Sequence, residues 1–358
     1  LFSYGTTSLD RVAFQKALDQ IGADLSPGTD FSLKLLRGDF DRGVQLLADV
    51  ELNPALPESA FGVVRDQLAA SVAGRLRSPD YKTRRALEAA LLPAHDPALR
   101  EATAQSVRSL SLQDVRNYFR EVSRPDMTVI VVIGKVTPER ALQVIRNHFG
   151  AWKAAGPKPD VLLPPVPPNG SSSVFVPNQS RVQDSVTLAE TLGLTRDNPD
   201  RYALQLGNHV LGGAFYATRL YRDLREKEGL VYYVSSSFDI GQTRSFYSVD
   251  YACDPKNVEK AKSIVESDLD EMQKTPVSQQ ELLQAKALIL REIPLSESSV
   301  DQIAGGLLSR AIHKLPLDEP TRAARHYIYL TAAQGQAAFA RWIRLKDLVQ
   351  VTEGPATQ

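Results

Sequence analysis

Two histidines four or five positions apart on a helix share one face and can bind zinc. The chain has five: His95, His148, His209, His313 and His326. None has another within five residues. His95 lies in the turn sequence Pro-Ala-His-Asp-Pro, His148 and His326 fall on helix surfaces or ends, and His209 stands alone on a helix. Each reads as a solvated or core histidine. The single cysteine, Cys253, excludes a disulfide framework and a thiolate zinc site within the chain, and reads as a buried structural thiol at a strand end. No dinucleotide-binding glycine pattern or phosphate loop is present, and Gly212-Gly213 reads as a helix-ending turn. Nothing in the spacing around Ser235-Ser236-Ser237 argues for a serine nucleophile with its base. Arg219, Arg222 and Arg225 recur at three-residue spacing on a predicted helix. With Asp223, Glu226 and Glu228 alongside, they read as a solvated mixed face rather than a nucleic-acid patch. Arg225 ends that helix, and Tyr232 starts a strand after a turn at Gly229. A helix end and a strand start can aim a guanidinium fork and a phenol into one cleft.

The elements that must position these groups follow from periodicity. Ser8 is expected to cap a helix with apolar positions Val12, Phe14, Leu18 and Ile21. Residues 23–37 have strand character, and residues 43–52, 57–77, 81–92, 112–122 and 138–149 read as helices. The β-branched run from Met127 to Gly134 reads as a buried strand. Residues 151–172, with six prolines among Gly and Ser, read as a stiff, extended linker. Beyond it, 174–176, 185–192, 231–238, 245–253 and 348–352 read as strands. Residues 201–211, 215–226, 256–273, 279–292, 299–312 and 332–343 read as helices. The length of 358 residues points to two domains of similar size, and 43% hydrophobic residues to a globular chain. With 42 basic and 42 acidic residues, no net charge draws the chain to nucleic acid or an anionic membrane. The longest apolar runs fall far short of the roughly 20 residues that span a bilayer.

The second half replays the first. The stretches 111–134 and 331–354 each run from a Ser or Thr cap through a helix centred on an aromatic residue (Tyr118, Phe339) to Arg, a strand and Gly. The second copy carries an extra start, roughly 173–212, that the first lacks, so the polypeptide is expected to begin upstream of Leu1. Because the chain opens on Leu, its targeting is not legible. The fold expected is α+β, with two homologous domains, each a mostly antiparallel sheet carrying helices on one side. Residues 1–150 form the first, 151–172 the linker and 173–358 the second.

One stretch resembles a known family. Leu211-Gly212-Gly213, then Ala217-Thr218-Arg219-Leu220, then the run from Leu224 to Tyr232 resembles the second domain of insulinase-type (pitrilysin-type) zinc peptidases. That family includes the mitochondrial processing peptidases and the respiratory-complex core proteins. Thr218 stands where Ser before the Arg is more usual. Gly5-Thr6, residues 22–25, Asn53-Pro54 and Arg124-Pro125 resemble its first domain. The family hydrolyses peptides with His-x-x-Glu-His plus a downstream Glu. The resemblance puts the first motif just before Leu1 and the downstream Glu on the helix after Pro57. That stretch has no Glu between Glu58 and Glu88, and only Asp66 in its body.

The resemblance therefore implies the non-catalytic half of such a peptidase, inactive alone. It implies no metal or other cofactor in this chain, and zinc in a partner half that lies upstream on the same polypeptide or on a separate subunit. The two halves would enclose extended peptides, with Arg225 and Tyr232 binding substrate and stabilising the oxyanion. On the residues alone, Arg225 pairing with a carboxylate and Tyr232 as an interior aromatic remain open. The alternative function is a non-proteolytic structural or assembly subunit, as in the respiratory core proteins. A self-sufficient zinc enzyme would need the upstream motif and an unusual third ligand.

Overall fold

A computed structural model describes residues 1–214 and 216–355. The helix start expected at Phe215 lies outside the described residues. The chain folds as two compact units, each assembled from three stretches.

The first unit comprises residues 1–74, 102–161 and 299–312. Its Arg11–Gln20 helix is capped by Asp10, whose carboxylate accepts from the Ala13 N–H at 2.8 Å. Ser8, the expected cap, instead donates its hydroxyl to Asp49. Phe14, Ala17 and Leu18 pack on Leu46 and Val50 of the Phe40–Leu52 helix, whose Val44 and Ala48 meet Val144 and Phe149 of the Pro138–Phe149 helix. The stretch read as strand over 23–37 is a hairpin of β1 (Asp24–Ser26) and β2 (Ser32–Lys34). Residues 127–134 join no sheet among the described residues, and Val129 and Ile130 are more than a third exposed. β-Branched residues favour extended backbone, but a strand is stable only when a neighbour takes its backbone hydrogen bonds.

The second unit comprises residues 75–101, 162–298 and 313–358. Its sheet runs in the order β3 (Ser172–Pro177), β7 (Val349–Gly354), β4 (Asp184–Leu192), β6 (Ser245–Cys253), β5 (Val231–Ile240). Only β3 and β7 pair in parallel; the other three pairings are antiparallel. This is the α+β class expected. Strict alternation along β6 sends Tyr247, Val249, Tyr251 and Cys253 into the core, with Ser248, Asp250 and Ala252 facing the other way. Leu269 and Met272 of the Val258–Lys274 helix and Phe339 of the Ala332–Trp342 helix close that core. Each fully buried Leu or Phe there contributes about 1.5–3 kcal/mol. Gly207 lets the Asp200–Leu211 helix approach: a Cβ there would lie 2.5 Å from the Phe339 ring.

The opposite face of the sheet is covered only in part. The Pro79–Leu91 helix sets Leu91 against Val176, Ala189, Val349 and Val351, on β3, β7 and β4. Phe246 of β6 also packs against this cluster, and further along the same face Thr187, Ser235, Ser248 and Asp250 are partly exposed and Ser237 is exposed. A helix that the sequence reading omitted, Glu319–Tyr329, packs Tyr327 against Tyr202 and Leu206.

Candidate functional site

The stretch that carries the family resemblance runs along the β5 edge of the second unit. The Asp200–Leu211 helix ends at Gly212, where a Cβ would lie 2.7 Å from both Leu220 and the Ser236 hydroxyl. Only glycine fits this approach. The Gly212 carbonyl accepts from the Ser236 N–H at 3.0 Å. Buried Asn208 donates to the Ser236 carbonyl at 2.8 Å and accepts from its hydroxyl at 2.5 Å. Edge-strand groups are thus satisfied by the helix end, which blunts β5 against strand addition at Ser236.

The next helix starts after Thr218, whose hydroxyl accepts from the Tyr221 N–H at 3.3 Å, so Thr serves the cap as Ser would. It continues as a π-helical turn over Tyr221–Lys227. The turn stops with a glycine cap. Gly229 has φ +62°, its N–H bonds to the Arg225 carbonyl at 3.1 Å, and Leu230 N–H bonds to the Leu224 carbonyl at 2.8 Å.

β5 then opens with a bulge. Val231 pairs with Cys253 and Val234 with Tyr251, so Tyr232 and Tyr233 together oppose Ala252. Two residues against one leave Val231 and Val234 in the core and turn both tyrosines outward, 78% and 55% exposed. Arg225 supports the bulge: its Nη1 donates to the Tyr232 carbonyl at 2.8 Å and, more weakly, to the Val231 carbonyl at 3.4 Å. Its guanidinium carbon lies 4.5 Å from the Tyr232 ring centroid and 5.8 Å from that of Tyr221. Among the described residues no carboxylate pairs with Arg225, and neither its Nε and Nη2 nor the Tyr232 hydroxyl has a protein partner. Neither structural role left open by the residues alone, a carboxylate partner for Arg225 or an interior Tyr232, is found.

The arginine row divides. Arg219 is 6% exposed and grips Glu281 through two bonds of 2.8 and 3.1 Å, with Glu271 at 3.5 Å. It is therefore not part of a solvated face: three-residue spacing on this turn sends Arg219 inward and leaves Arg225 at the surface. The Arg219 guanidinium bond holds the Glu281 carboxyl down at about 2. Arg222 forks onto Asp223, which also meets Lys227 at 2.7 Å, and Asp223 is held at about 2, chiefly by the Arg222 bond. Beneath them Asp268, 5% exposed, is pushed up to about 7 by burial and then by the Asp223 charge. Its Oδ2 has no hydrogen-bond partner among the described residues, and burial beside the Asp223 charge favours its neutral form.

Histidines do not gather. His148 meets Asp41 at 2.8 Å, His326 stacks on Tyr202, and His209 contacts Glu292 at 3.3 Å. Asp66 lies beside Arg65 at 3.5 Å. Among the described residues no three His, Cys, Asp or Glu side chains converge so as to hold a metal, and these donors do not fit a zinc ion. Cys253 is buried, and burial pushes its thiol up to about 11.

The model for the peptidase M16 inactive domain matches residues 109–289, half of the chain. The chain belongs to the M16 peptidase family. This is the insulinase/pitrilysin-type family that the motif ending at Tyr232 resembles, and the matching model is its inactive domain. Similar proteins agree. An uncharacterized zinc protease of Mycobacterium tuberculosis is 25% identical over 353 residues, covering 90% of this chain and 78% of that protein. The crystal structure of a peptidase M16 inactive domain from Pseudomonas fluorescens superposes with a TM-score of 0.84 at 26% identity, covering 99% of this chain and 87% of that one. The periplasmic protease PqqL of Escherichia coli shares the fold, with a TM-score of 0.82 at 15% identity, but this chain spans only 39% of it. No helix among the described residues is long and apolar enough to cross a membrane.

The sequence reading missed Asn208 and Ser236, which tie the glycine turn to β5, and Tyr233, which the bulge exposes beside Tyr232. Consecutive tyrosines at a strand start are the only signal of the bulge.

Proposed function

We propose that this M16 chain is the non-catalytic half of a zinc peptidase, pairing with a zinc-bearing half to enclose extended peptides, and that Arg225 and Tyr232 act on the bound substrate. Residues 1–150 and 173–358, joined by 151–172, are the two copies of the ancestral unit in this reading. Zinc and the hydrolytic step belong to the partner half, on a separate subunit or elsewhere on a longer polypeptide, and this chain supplies donors. The observation that carries the reading is the outward Tyr232, braced by an Arg225 that keeps unpaired donors and lacks a carboxylate partner. A fixed guanidinium fork and a phenol at a rigid strand start can hydrogen-bond a peptide carbonyl and strengthen as that oxygen gains charge. Their orientation is set before substrate arrives, so no reorganisation is needed at the reacting step.

The test is steady-state kinetics of the enzyme reconstituted with its zinc half. Tyr232→Phe should keep the fold and lower kcat by roughly 10–10³-fold, the range for losing an oxyanion donor or part of one. Arg225→Lys should also be damaging, because an ammonium replaces the fork by a point charge. A rise in KM with kcat unchanged would reduce the pair to ground-state anchors. The second reading is a structural subunit without proteolytic function. The Arg225 bonds to the bulge carbonyls favour it, since a brace for β5 needs no substrate. Unchanged kcat/KM in both variants, with lower melting temperature for Arg225→Lys, would decide for that reading.

A further inference from the structure

Beyond the cluster around Leu91, the same face of the second unit's sheet carries hydroxyls and a carboxylate. Facing outward on β6 and its neighbours are Thr187, Ser235, Ser237, Ser248 and Asp250, with no Lys or Arg among them. Thr187 donates to Asp250 Oδ1 at 2.6 Å, Ser248 donates to Oδ2 at 3.1 Å, and Ser237 meets Ser248 at 3.1 Å. No basic side chain pairs with Asp250 among the described residues. Two hydroxyl donors fix the carboxylate but leave each oxygen capacity for a further bond on the solvent side. Along the strand, the bulge turns Tyr233 onto the same face. Its hydroxyl reaches the Ser235 hydroxyl at 2.5 Å, and Ser235 is directly opposite Asp250 in the register. One pair further on, Ser185 and Ala252 line a cleft of about 500 Å³ whose other walls include Asp80 and Arg181, paired with each other at 3.1 Å.

An oriented carboxylate without a cation, beside an aromatic ring, on a polar sheet face next to a cleft, is what a cationic side chain needs. The anion supplies a charge-assisted bond, and the ring supplies a face for the cation. We infer that Asp250, with Tyr233 beside it, is a specificity subsite that takes the Lys or Arg side chain of an extended peptide. This rests on the peptide-binding reading above and adds to it a substrate class. Arg225 and Tyr232 address the backbone of any peptide. Asp250 selects among peptides by charge.

The experiment is fluorescence anisotropy with the full chain and three labelled, otherwise identical extended peptides carrying Lys, norleucine or Glu at one position, with that position walked along the peptide. At one position the Lys peptide should bind about 3–10-fold more tightly than the norleucine peptide, and the Glu peptide more weakly than either. The Lys preference should shrink as salt rises. Asp250→Asn, whose Oδ1 still accepts from one hydroxyl while its amide donates to the oxygen of the other, should abolish the Lys preference and leave norleucine binding and melting temperature unchanged. Tyr233→Leu should reduce the preference while Asp250 remains. Equal binding of all three peptides at every position, or a Lys preference that survives in Asp250→Asn, overturns the subsite while the peptide-binding reading stands. Absence of binding by every peptide, alone and with the zinc half, overturns both.

Discussion

Asp268→Asn isolates the buried acid pair under the π-helical turn. Burial and the Asp223 charge hold the Asp268 carboxyl at about 7, against an ordinary value of 3.8. Between those values the unfolded chain gives up the proton while the folded chain keeps it. The folded state therefore binds more protons, and stability falls as pH rises through that window, levelling above about 7. Asp223 acts with the opposite sign and lower down. Held at about 2, it stabilises fully above its unfolded value of 3.8 and loses that contribution only as pH falls toward about 2. Glu190, also pushed to about 7 by burial, adds a second proton of the same sign as Asp268. Asn at position 268 stays neutral at every pH and can donate its amide to Asp223. The variant should therefore lie close to the wild type near pH 4. It should gain stability relative to it by about 1.4 kcal/mol per pH unit, reaching on the order of 4 kcal/mol above pH 7. The assay is urea unfolding from about pH 4 to about pH 8, followed by Trp342 in the second unit with Trp152 of the first replaced by Phe. Parallel stability curves for variant and wild type would show that Asp268 is ionised in the folded protein, and would refute the raised carboxyl.

Other outcomes follow from the same geometry. Glu281→Gln should cost roughly 2–4 kcal/mol in urea unfolding because it strands the buried Arg219 charge, whereas Arg219→Met combined with Glu281→Leu should cost less than either single change. Gly229→Ala forces a side chain into the positive-φ cap and should cost about 1 kcal/mol or more in the same assay, with a larger loss of reconstituted activity than of stability, because the cap aims Arg225. Glu190→Gln should remove the second half of the pH slope that Asp268→Asn leaves behind. In each case an unchanged midpoint, or for Glu190→Gln an unchanged slope, refutes the claim.

Most elements could be read from local pattern because local pattern determines them. Ser111 and Thr331 cap their helices as the sequence suggested, with reciprocal bonds from Asp114 and Gln334, and Thr137 caps the helix that starts at Pro138. What failed depended on partners distant in sequence. Residues 127–134 have strand residues and no neighbouring strand among the described residues. Ser8 has a cap's chemistry but is held by Asp49, 41 positions away. The site was legible in part. The spacing from Arg225 to Tyr232 singled out the pair, but period-two reasoning gives no warning that a bulge turns Tyr232 and Tyr233 to one side. Nor could helical spacing tell a buried Arg219 from an exposed Arg225, since Glu281 lies 62 positions further on.

The division into units has a consequence for how the chain is made. The first unit includes residues 299–312, where Asp301 pairs with Lys34 at 2.8 Å, and the second includes residues 75–101. During vectorial synthesis the early segments must therefore wait, since the first unit cannot be completed until residue 312 has left the ribosome. The Pro79–Leu91 helix emerges long before the strands β3, β4 and β7 that cover Leu91, so its apolar face stays uncovered until β7 has been made. A nascent chain of this kind calls for chaperone protection. Scission in the proline-rich segment 151–172 would then give two fragments that reassemble by complementation, rather than two that each fold alone.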